Sequence, residues 1–210
     1  MNNLSSVIGF FYNIVPGFLF LFINDYHFHI IFLQGSTNLT DLSGNSIGIL
    51  VLLTLSLFLG FIFQSLTKLT REFFLNKMIF DYIRNKDEGI YNSAVSKLKS
   101  IKSSKTLDVV ENFYLMHNFI SSNKKDLLPE YFSARFAFWS NIFFCLLLSL
   151  ISFSLSKQER LFNLDRVTIF FLFQLALVYS TVISLMNFKN LYDSVLKTFI
   201  TQLTIKSSNP

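Results

Sequence analysis

The pattern of apolar positions divides the chain into four long uncharged stretches separated by polar segments. The clearest stretch covers residues 47–66, which are twenty residues without a charged side chain. A helix of this length rises about 30 Å, which is the thickness of the hydrocarbon core of a bilayer. Its apolar residues lie on all sides of the helix, and Lys68 follows once that length is complete. The pattern therefore predicts a transmembrane helix and not a buried helix of a water-soluble protein.

Three further stretches share this character. They are residues 4–23, 136–155 and 167–188. The sequence thus predicts an all-α, polytopic membrane protein with four spans, arranged as two hairpins over residues 1–66 and 136–188. Residues 1–6 carry no Lys or Arg, and no small-residue cleavage pattern follows the first apolar run, so no cleavable signal is expected.

The first stretch is interrupted by Asn13 and by the pair Pro16-Gly17. Proline removes a backbone donor and clashes with the preceding turn, so a kink is expected in this helix. In lipid such a kink is tolerated where neighbouring groups satisfy the freed carbonyl. A role in helix packing is favoured over a gating hinge.

The polar segments are predicted to form a basic helical domain over residues 67–135 and a tail helix over residues 189–210. Apolar residues recur there at spacings of three and four, which is typical of helices with one apolar face. The helix of the second span is expected to continue to Lys86 and to break before Gly89. A later helix over residues 106–121 has Thr106 as a candidate N-cap. The helix of the third span is expected to begin near Pro129.

The distribution of cations predicts the orientation. Residues 67–135 hold twelve Lys or Arg and residues 189–210 hold three, whereas the loop before the fourth span holds three. By the positive-inside rule, both termini and the basic domain lie in the cytoplasm, and the protein lies in the plasma membrane. Five side chains are expected to anchor the spans at the interfaces. They are Lys68, Arg71, Arg135, Trp139 and Lys189.

The composition agrees with this class. Charged residues make up 15% of the chain, against about 25% in ordinary globular proteins, and the mean hydropathy is +0.47. The net charge of +5 could suggest a nucleic-acid partner. Because membrane topology explains where the cations lie, nucleic acid is an unlikely partner, and anionic lipid headgroups are the expected contact.

The predicted spans contain no Asp, Glu, Lys, Arg or His. Ion-coupled carriers and intramembrane hydrolases retain such groups, so a small-molecule carrier is disfavoured. Four larger polar side chains remain, as candidates for contacts between helices or for pore lining. They are Asn13, Gln64, Asn141 and Gln174. The spacing Gly44-x-x-x-Gly48 adds a weak signal for close helix packing.

No catalytic or metal-binding constellation is evident in the sequence. His27 and His29, with Asp25 or Asp41, are too few to predict a metal site. A Gly-rich phosphate loop, zinc-binding Cys/His spacing and a Gly-x-Ser-x-Gly elbow are all missing. The single cysteine, Cys145, is expected to be a small packing residue. The sequence therefore predicts neither enzymatic activity nor a cofactor.

Three features define the layout of this sequence. They are Pro16-Gly17-Phe18-Leu19 in the first span, a basic helical domain between spans two and three, and the approach to span three over residues 131–141. This layout resembles that of small four-span membrane proteins of prokaryotic antiviral loci, such as the accessory proteins of type VI-B CRISPR loci. The resemblance implies an effector or regulator that acts on the membrane or controls a cytosolic defence nuclease. It assigns no functional residues.

The sequence therefore favours a membrane-embedded interaction or regulatory component that forms homo-oligomers and has a cytosolic protein partner. Its alternative is a channel or membrane-permeabilising effector. In that alternative Gln64, Asn141 and Gln174 would face a common aqueous path.

Overall fold

The computed structural model describes residues 2–28, 46–72, 76–101, 108–123, 128–155, 160–161 and 164–208. Seven helices lie within these residues. They are α1 (Asn2–Phe28), α2 (Ser46–Thr70), α3 (Asn76–Lys86), α4 (Glu88–Ile101), α5 (Val109–Asn123), α6 (Leu128–Leu155) and α7 (Arg166–Ser208). The strands in the same residues are two short ones, β1 (Arg160–Leu161) and β2 (Leu164–Asp165), which pair antiparallel. The expected all-α class is confirmed.

The chain forms two compact units. The apolar unit consists of Met1–Lys68 and Phe136–Ser184, and the basic unit consists of Leu69–Arg135 and Leu185–Pro210. The apolar unit has four Lys and Arg against four Asp and Glu, whereas the basic unit has 14 against 9. The whole net charge of +5 therefore belongs to the basic unit.

Three helices are long and apolar enough to cross a membrane. These candidate spans are Ser46–Thr70, Leu128–Leu155 and Arg166–Thr204. Helix α1 has 27 residues, but its qualifying apolar part is shorter, Phe10–Asn24. By length and composition the structure supports a membrane protein with three candidate spans. The predicted first span, over residues 4–23, stays a prediction.

The expected continuation of the second span to Lys86 is wrong. Helix α2 ends at Thr70, Arg71 and Glu72 form a wider π-helical turn, and α3 begins at Asn76. The apolar spacing was misleading because its members do not share one face: Leu69 is exposed, whereas Phe80 and Ile83 are buried. A π-helical turn contains an extra residue, which interrupts the regular hydrogen-bond ladder of an α-helix.

The basic unit has a capping residue at the start of two of its helices. The Asp87 carbonyl accepts hydrogen bonds from the amides of Ile90 and Tyr91 at 3.1 and 3.0 Å, so the expected break before Gly89 is confirmed. At the next helix, Asp108 Oδ1 accepts from the amide of Val109 at 2.7 Å. The candidate cap Thr106 lies outside the described residues, and Asp108 is the cap that the structure shows.

Helices α6 and α7 are each uninterrupted. Helix α6 begins at Leu128 with Pro129 in its first turn, as expected for proline at a helix start. Asp165 Oδ1 accepts from the amide of Thr168 at 3.2 Å and caps α7. Helix α7 then runs for 43 residues, so the predicted fourth span and the tail belong to one helix.

Each unit has its own core. In the apolar unit one cluster contains Ile142, Leu146, Phe153, Ile169 and Phe173, and a second contains Phe20, Phe63 and Cys145. Cys145 is fully buried, which is consistent with a packing role. In the basic unit the rings of Phe80, Phe113, Phe188 and Tyr192 form one aromatic cluster, in which Phe113 and Tyr192 stack at 5.7 Å.

Candidate functional site

The apolar unit buries polar side chains and exposes large apolar ones. Its buried polar residues are Asn13, Asn24, Ser56, Thr67, Ser140, Asn141, Ser149, Ser180 and Ser184. Its outer surface carries phenylalanines such as Phe10, Phe18, Phe58 and Phe171, all at least 45% exposed. Folded proteins in water show the opposite preference. In lipid this arrangement is favourable, because polar groups there must find partners inside the protein.

Helices α1 and α2 approach each other closely at two glycines. A methyl group on Gly17 would overlap the backbone carbonyl of Ser56, and one on Gly60 would overlap the backbone carbonyl of Asn13. Residue numbers rise along one helix as they fall along the other, so the two helices run antiparallel at this crossing. Small residues one turn apart permit such contact between backbones in membranes.

This crossing accounts for Asn13, which is buried at the contact with Gly60. It also fits the packing interpretation of Pro16-Gly17. The spacing Ser56-x-x-x-Gly60 was the missed sequence signal, because a serine and one glycine are unremarkable in an apolar run. The predicted signal for close helix packing was Gly44-x-x-x-Gly48. Gly44 lies outside the described residues, and Gly48 is buried.

Hydrogen bonds connect α6 to three other helices of the apolar unit. Thr67 Oγ1 on α2 donates to Asn141 Oδ1 at 2.9 Å, and Asn24 Nδ2 on α1 donates to Ser149 Oγ at 2.7 Å. A weaker contact at 3.5 Å joins the hydroxyls of Ser140 and Ser184, which lies on α7. Such bonds stabilise helix association in membranes by roughly 0.6–2 kcal/mol each. Helix α6 is thus the helix to which the other three are tied.

Sequence reasoning missed Asn24 and Thr67, two members of this network that each lie one residue beyond a predicted span. Asn24 follows the first span, where an asparagine resembles the start of a polar loop. The structure buries it fully, and its Nδ2 also donates to the Phe20 carbonyl at 2.7 Å. Its Oδ1 is buried without a hydrogen-bond partner among the described residues.

Gln64 and Gln174 differ from the buried asparagines. Both side chains are exposed on the surface of the apolar unit. Gln64 lies four residues before Lys68, about 6 Å along the helix axis. Gln174 lies eight residues after Arg166, about 12 Å along the axis and well inside the apolar stretch. The four predicted polar residues therefore do not meet at one place within the chain.

Four of the five predicted interfacial anchors fall into two groups. Lys68 and Lys189 are exposed. Arg135 donates to the Tyr131 hydroxyl at 2.9 Å and lies 5.4 Å from the centre of its ring, and Trp139 packs edge-on against Tyr179. Cation–π contact of this kind holds a guanidinium next to an aromatic ring.

Arg166, which is not among the predicted anchors, makes similar contacts with a backbone carbonyl and with aromatic rings. Its Nη2 donates to the Ser154 carbonyl at 3.0 Å, and its guanidinium lies over the rings of Phe153 and Phe170. A cation at the carbonyl end of a helix satisfies an unpaired acceptor and interacts favourably with the helix dipole. Arg166 thus ties the start of α7 to the end of α6.

Arg71, the fifth of the predicted anchors, lies in the basic unit and is half-buried. Its Nε is buried and has no acceptor among the described residues. Burial lowers the pKa of His117, the Glu130 carboxylate opposes that shift, and the Arg71 guanidinium adds to it. His117 also packs against the Phe113 ring, so it behaves as a packed, neutral histidine.

The C-terminal part of α7 is an integral part of the basic unit. Lys97 Nζ donates to Thr204 Oγ1 at 3.0 Å and to the Ile200 carbonyl at 3.5 Å. Within the same unit, Asn112 Nδ2 donates to the Tyr91 hydroxyl at 3.3 Å.

Among the described residues no three or more His, Cys, Asp or Glu side chains cluster as metal ligands would. His29 and Asp41 lie outside those residues. The arrangement of the apolar unit supports helix association, through glycine crossings and paired polar groups. No family model, no curated protein and no solved structure matches the chain.

Proposed function

We propose that this chain is a four-span integral membrane protein that serves as an oligomeric interaction or regulatory component, with a helical domain in the cytoplasm. The observation that carries the proposal is the opposite polarity of the two units. The apolar unit exposes many Phe, Leu, Ile and Val side chains and buries all three of its asparagines whose burial the structure describes, Asn13, Asn24 and Asn141, whereas the basic unit buries an aromatic core and holds the net charge. One part of such a chain needs lipid around it and the other needs water.

The position of α1 supports its assignment as the first of the four spans. It has 27 residues, about 40 Å of helix, and it packs antiparallel on α2 at Gly17 and Gly60. Its outer face carries Phe11, Phe18 and Phe22. A helix that lies against a spanning helix and presents phenylalanines outward is suited to cross the bilayer beside it.

Three features support an interaction role over the channel alternative. Asn141 is buried and accepts from Thr67, so its amide serves a contact between helices. Gln64 and Gln174 are exposed on the outer surface. A path lined by all three is therefore not formed inside one chain. The basic unit, in turn, has its own core and is suited to act as a binding module.

The orientation is tested by cysteine labelling in whole cells. In a Cys145→Ala background, a membrane-impermeant maleimide should label Lys157→Cys in intact cells. It should label Lys99→Cys, an exposed position of the basic unit, only after the cells are permeabilised. Labelling of Lys99→Cys in intact cells, with Lys157→Cys protected, would reverse the orientation. Release of the unmodified protein by alkaline carbonate would refute the integral membrane assignment.

The resemblance in layout to membrane proteins of antiviral loci extends the proposal to prokaryotic defence. The interaction component would then regulate a cytosolic nuclease or act on the membrane during infection. Deletion of the gene should lower survival under phage challenge, and a neighbouring defence nuclease gene should be required for the effect. Equal survival of the deletion strain against a panel of phages would argue against this extension.

A further inference from the structure

Helix α7 is the candidate span with the least cover from its own chain. Within its most apolar 18 residues 22% are buried, against 39% for α6. Its buried side includes Ile169, Phe173, Ser180 and Ser184. The remaining surface is wide and apolar, and within this chain nothing among the described residues buries it.

One exposed row on α7 follows the spacing of a coiled-coil seam. The row, termed the α7 seam, consists of Val167, Phe171, Gln174, Val178 and Thr181, all of them exposed and all in the apolar unit. Successive members lie four, three, four and three residues apart. That alternation keeps side chains on one stripe and is the pattern by which helices pack knobs into holes.

Gln174 is the polar residue of this seam that needs a partner. Thr181 Oγ1 already donates to the Leu177 carbonyl at 2.8 Å, so its hydroxyl is satisfied within the helix. The Gln174 amide makes no hydrogen bond in the part of the chain that the structure describes. An amide is costly to leave unpaired in hydrocarbon. Gln64 can extend towards the headgroups near Lys68, but Gln174 lies about twice as far from the nearest cation along its helix.

We propose that the α7 seam is a self-association surface, at which Gln174 pairs with Gln174 of a second copy. The inference rests on the proposed membrane span of α7 and names the partner. A glutamine amide has two N–H donors and a carbonyl acceptor, so two of them form a reciprocal pair. Copies inserted in one membrane share an orientation, and a twofold axis along the membrane normal brings the same residue together at the same depth.

A second copy is the occupant that the chemistry favours. Lipid tails cover Phe171 or Val178 well, but they offer nothing to the amide of Gln174. A different membrane protein would need its own polar group at this depth and on this stripe, whereas a second copy supplies one by symmetry. Within the seam, Gln174 acts as a single polar seam residue does in coiled coils, where it fixes register and partner number.

Disulfide cross-linking of the full chain in native membranes tests the seam with Gln174 intact. In a Cys145→Ala background, Phe171→Cys and Val178→Cys should form covalent dimers under mild oxidation. Leu172→Cys is the matched control, because Leu172 is exposed next to Phe171 but points about 100° away around the helix. Equal dimer formation by Leu172→Cys and Phe171→Cys would overturn the seam. Cross-linking of Phe171→Cys to a different protein would overturn the second copy as its occupant.

The role of Gln174 is tested by association in liposomes, measured by energy transfer between labelled copies. Gln174→Leu should weaken association roughly tenfold, the effect of one to two interhelical hydrogen bonds in lipid, and Gln174→Asn should weaken it less. Gln64→Leu, at the exposed amide off this helix, should leave association unchanged. Equal association of Gln174→Leu and the unmodified protein would refute the pairing. A chain that resists carbonate extraction yet stays monomeric would refute this inference alone, whereas carbonate release would refute the proposed function.

Discussion

The apolar unit and the basic unit are both built from helices, but they are stabilised in opposite ways. In the basic unit, Phe113 and Tyr192 stack in a buried aromatic core. In the apolar unit, many phenylalanines lie on the outer surface, and the buried hydrogen bonds Thr67–Asn141 and Asn24–Ser149 join the helices. Hydrophobic burial can drive folding only where water surrounds the chain. The difference supports the proposal that lipid surrounds one unit and water the other.

The comparison also separates two ways of packing helices. Bulky rings fill the space between helices in both units, but only in the apolar unit do Gly17 and Gly60 also let two helix backbones approach, among the glycines that the structure describes. Lipid is as apolar as a leucine side chain, so close contact and polar pairing take over from hydrophobic burial. A change to alanine should therefore have different effects on the outer surface of the apolar unit, at its glycine crossing and in the core of the basic unit.

The largest expected effect is the loss of a core ring in the basic unit. Phe113 is 5% exposed, so Phe113→Ala should lower the free energy of unfolding by about 3–5 kcal/mol. Phe18→Ala, at a 45% exposed phenylalanine of the apolar unit, is the control and should change it little. Chemical unfolding in detergent, followed by circular dichroism, measures both. A larger loss for Phe18→Ala would break the contrast between the units.

A smaller effect is expected when a methyl group is added to a glycine. Gly60→Ala should destabilise the protein by about 1–3 kcal/mol, because the new Cβ meets the Asn13 backbone and the helices must separate. Gly89→Ala, in helix α4 of the basic unit, meets nothing within 4 Å. It should stabilise that helix by about 0.5–1 kcal/mol. Thermal midpoints in detergent should shift in opposite directions, and a shift in the same direction would contradict the close crossing.

The hydrogen bond from Thr67 to Asn141 should contribute less again. A double-mutant cycle of Thr67→Val and Asn141→Leu is expected to give a coupling free energy of about 0.6–2 kcal/mol. Each single substitution leaves the other side chain buried without its hydrogen-bond partner. Unfolding of the four proteins in the cycle, in the same detergent, provides the value. Additive effects of the two substitutions would show that the pair adds nothing to helix association.

The smallest expected effect is a dependence of stability on pH in the basic unit. The folded-state pKa of His117 lies below the ordinary value of 6.5, so between these two values the unfolded chain binds a proton that the folded chain does not. Stability should therefore fall as the pH drops below 6.5. His117→Gln should remove this part of the decline when thermal midpoints are compared between pH 7.5 and 5.5. An unchanged decline would mean that another group is responsible.

Much of the fold could be predicted because long uncharged stretches have few alternatives. The spans of α2, α6 and α7 were recognisable from length and composition alone. The break after Thr70 was not, because Leu69 fits the spacing of Phe80 and Ile83 without sharing their face. Which side of a helix faces inward depends on its neighbours, and a helix that is apolar all round gives no such signal.

The same reason limits what the sequence says about the candidate site. Asn141 and Gln174 looked equivalent as uncharged polar residues within spans. Only the packing shows that one is buried against Thr67 and the other lies on the exposed α7 seam. Asn24 was missed because hydropathy changes gradually at the end of a span. Ser56 and Gly60 were missed because close approach depends on the partner helix as much as on the residues themselves.

The central claim, that lipid surrounds the apolar unit and water surrounds the basic unit, is tested most directly by spin labels in the reconstituted protein. In a Cys145→Ala background, labels would replace Leu53 and Phe58 of the apolar unit and Met78 and Tyr82 of the basic unit, all exposed apolar side chains. The account predicts that labels at the first two positions collide with dissolved oxygen and are shielded from a water-soluble nickel chelate, whereas labels at the other two show the reverse. Collision with the chelate at Leu53 and Phe58 would contradict it.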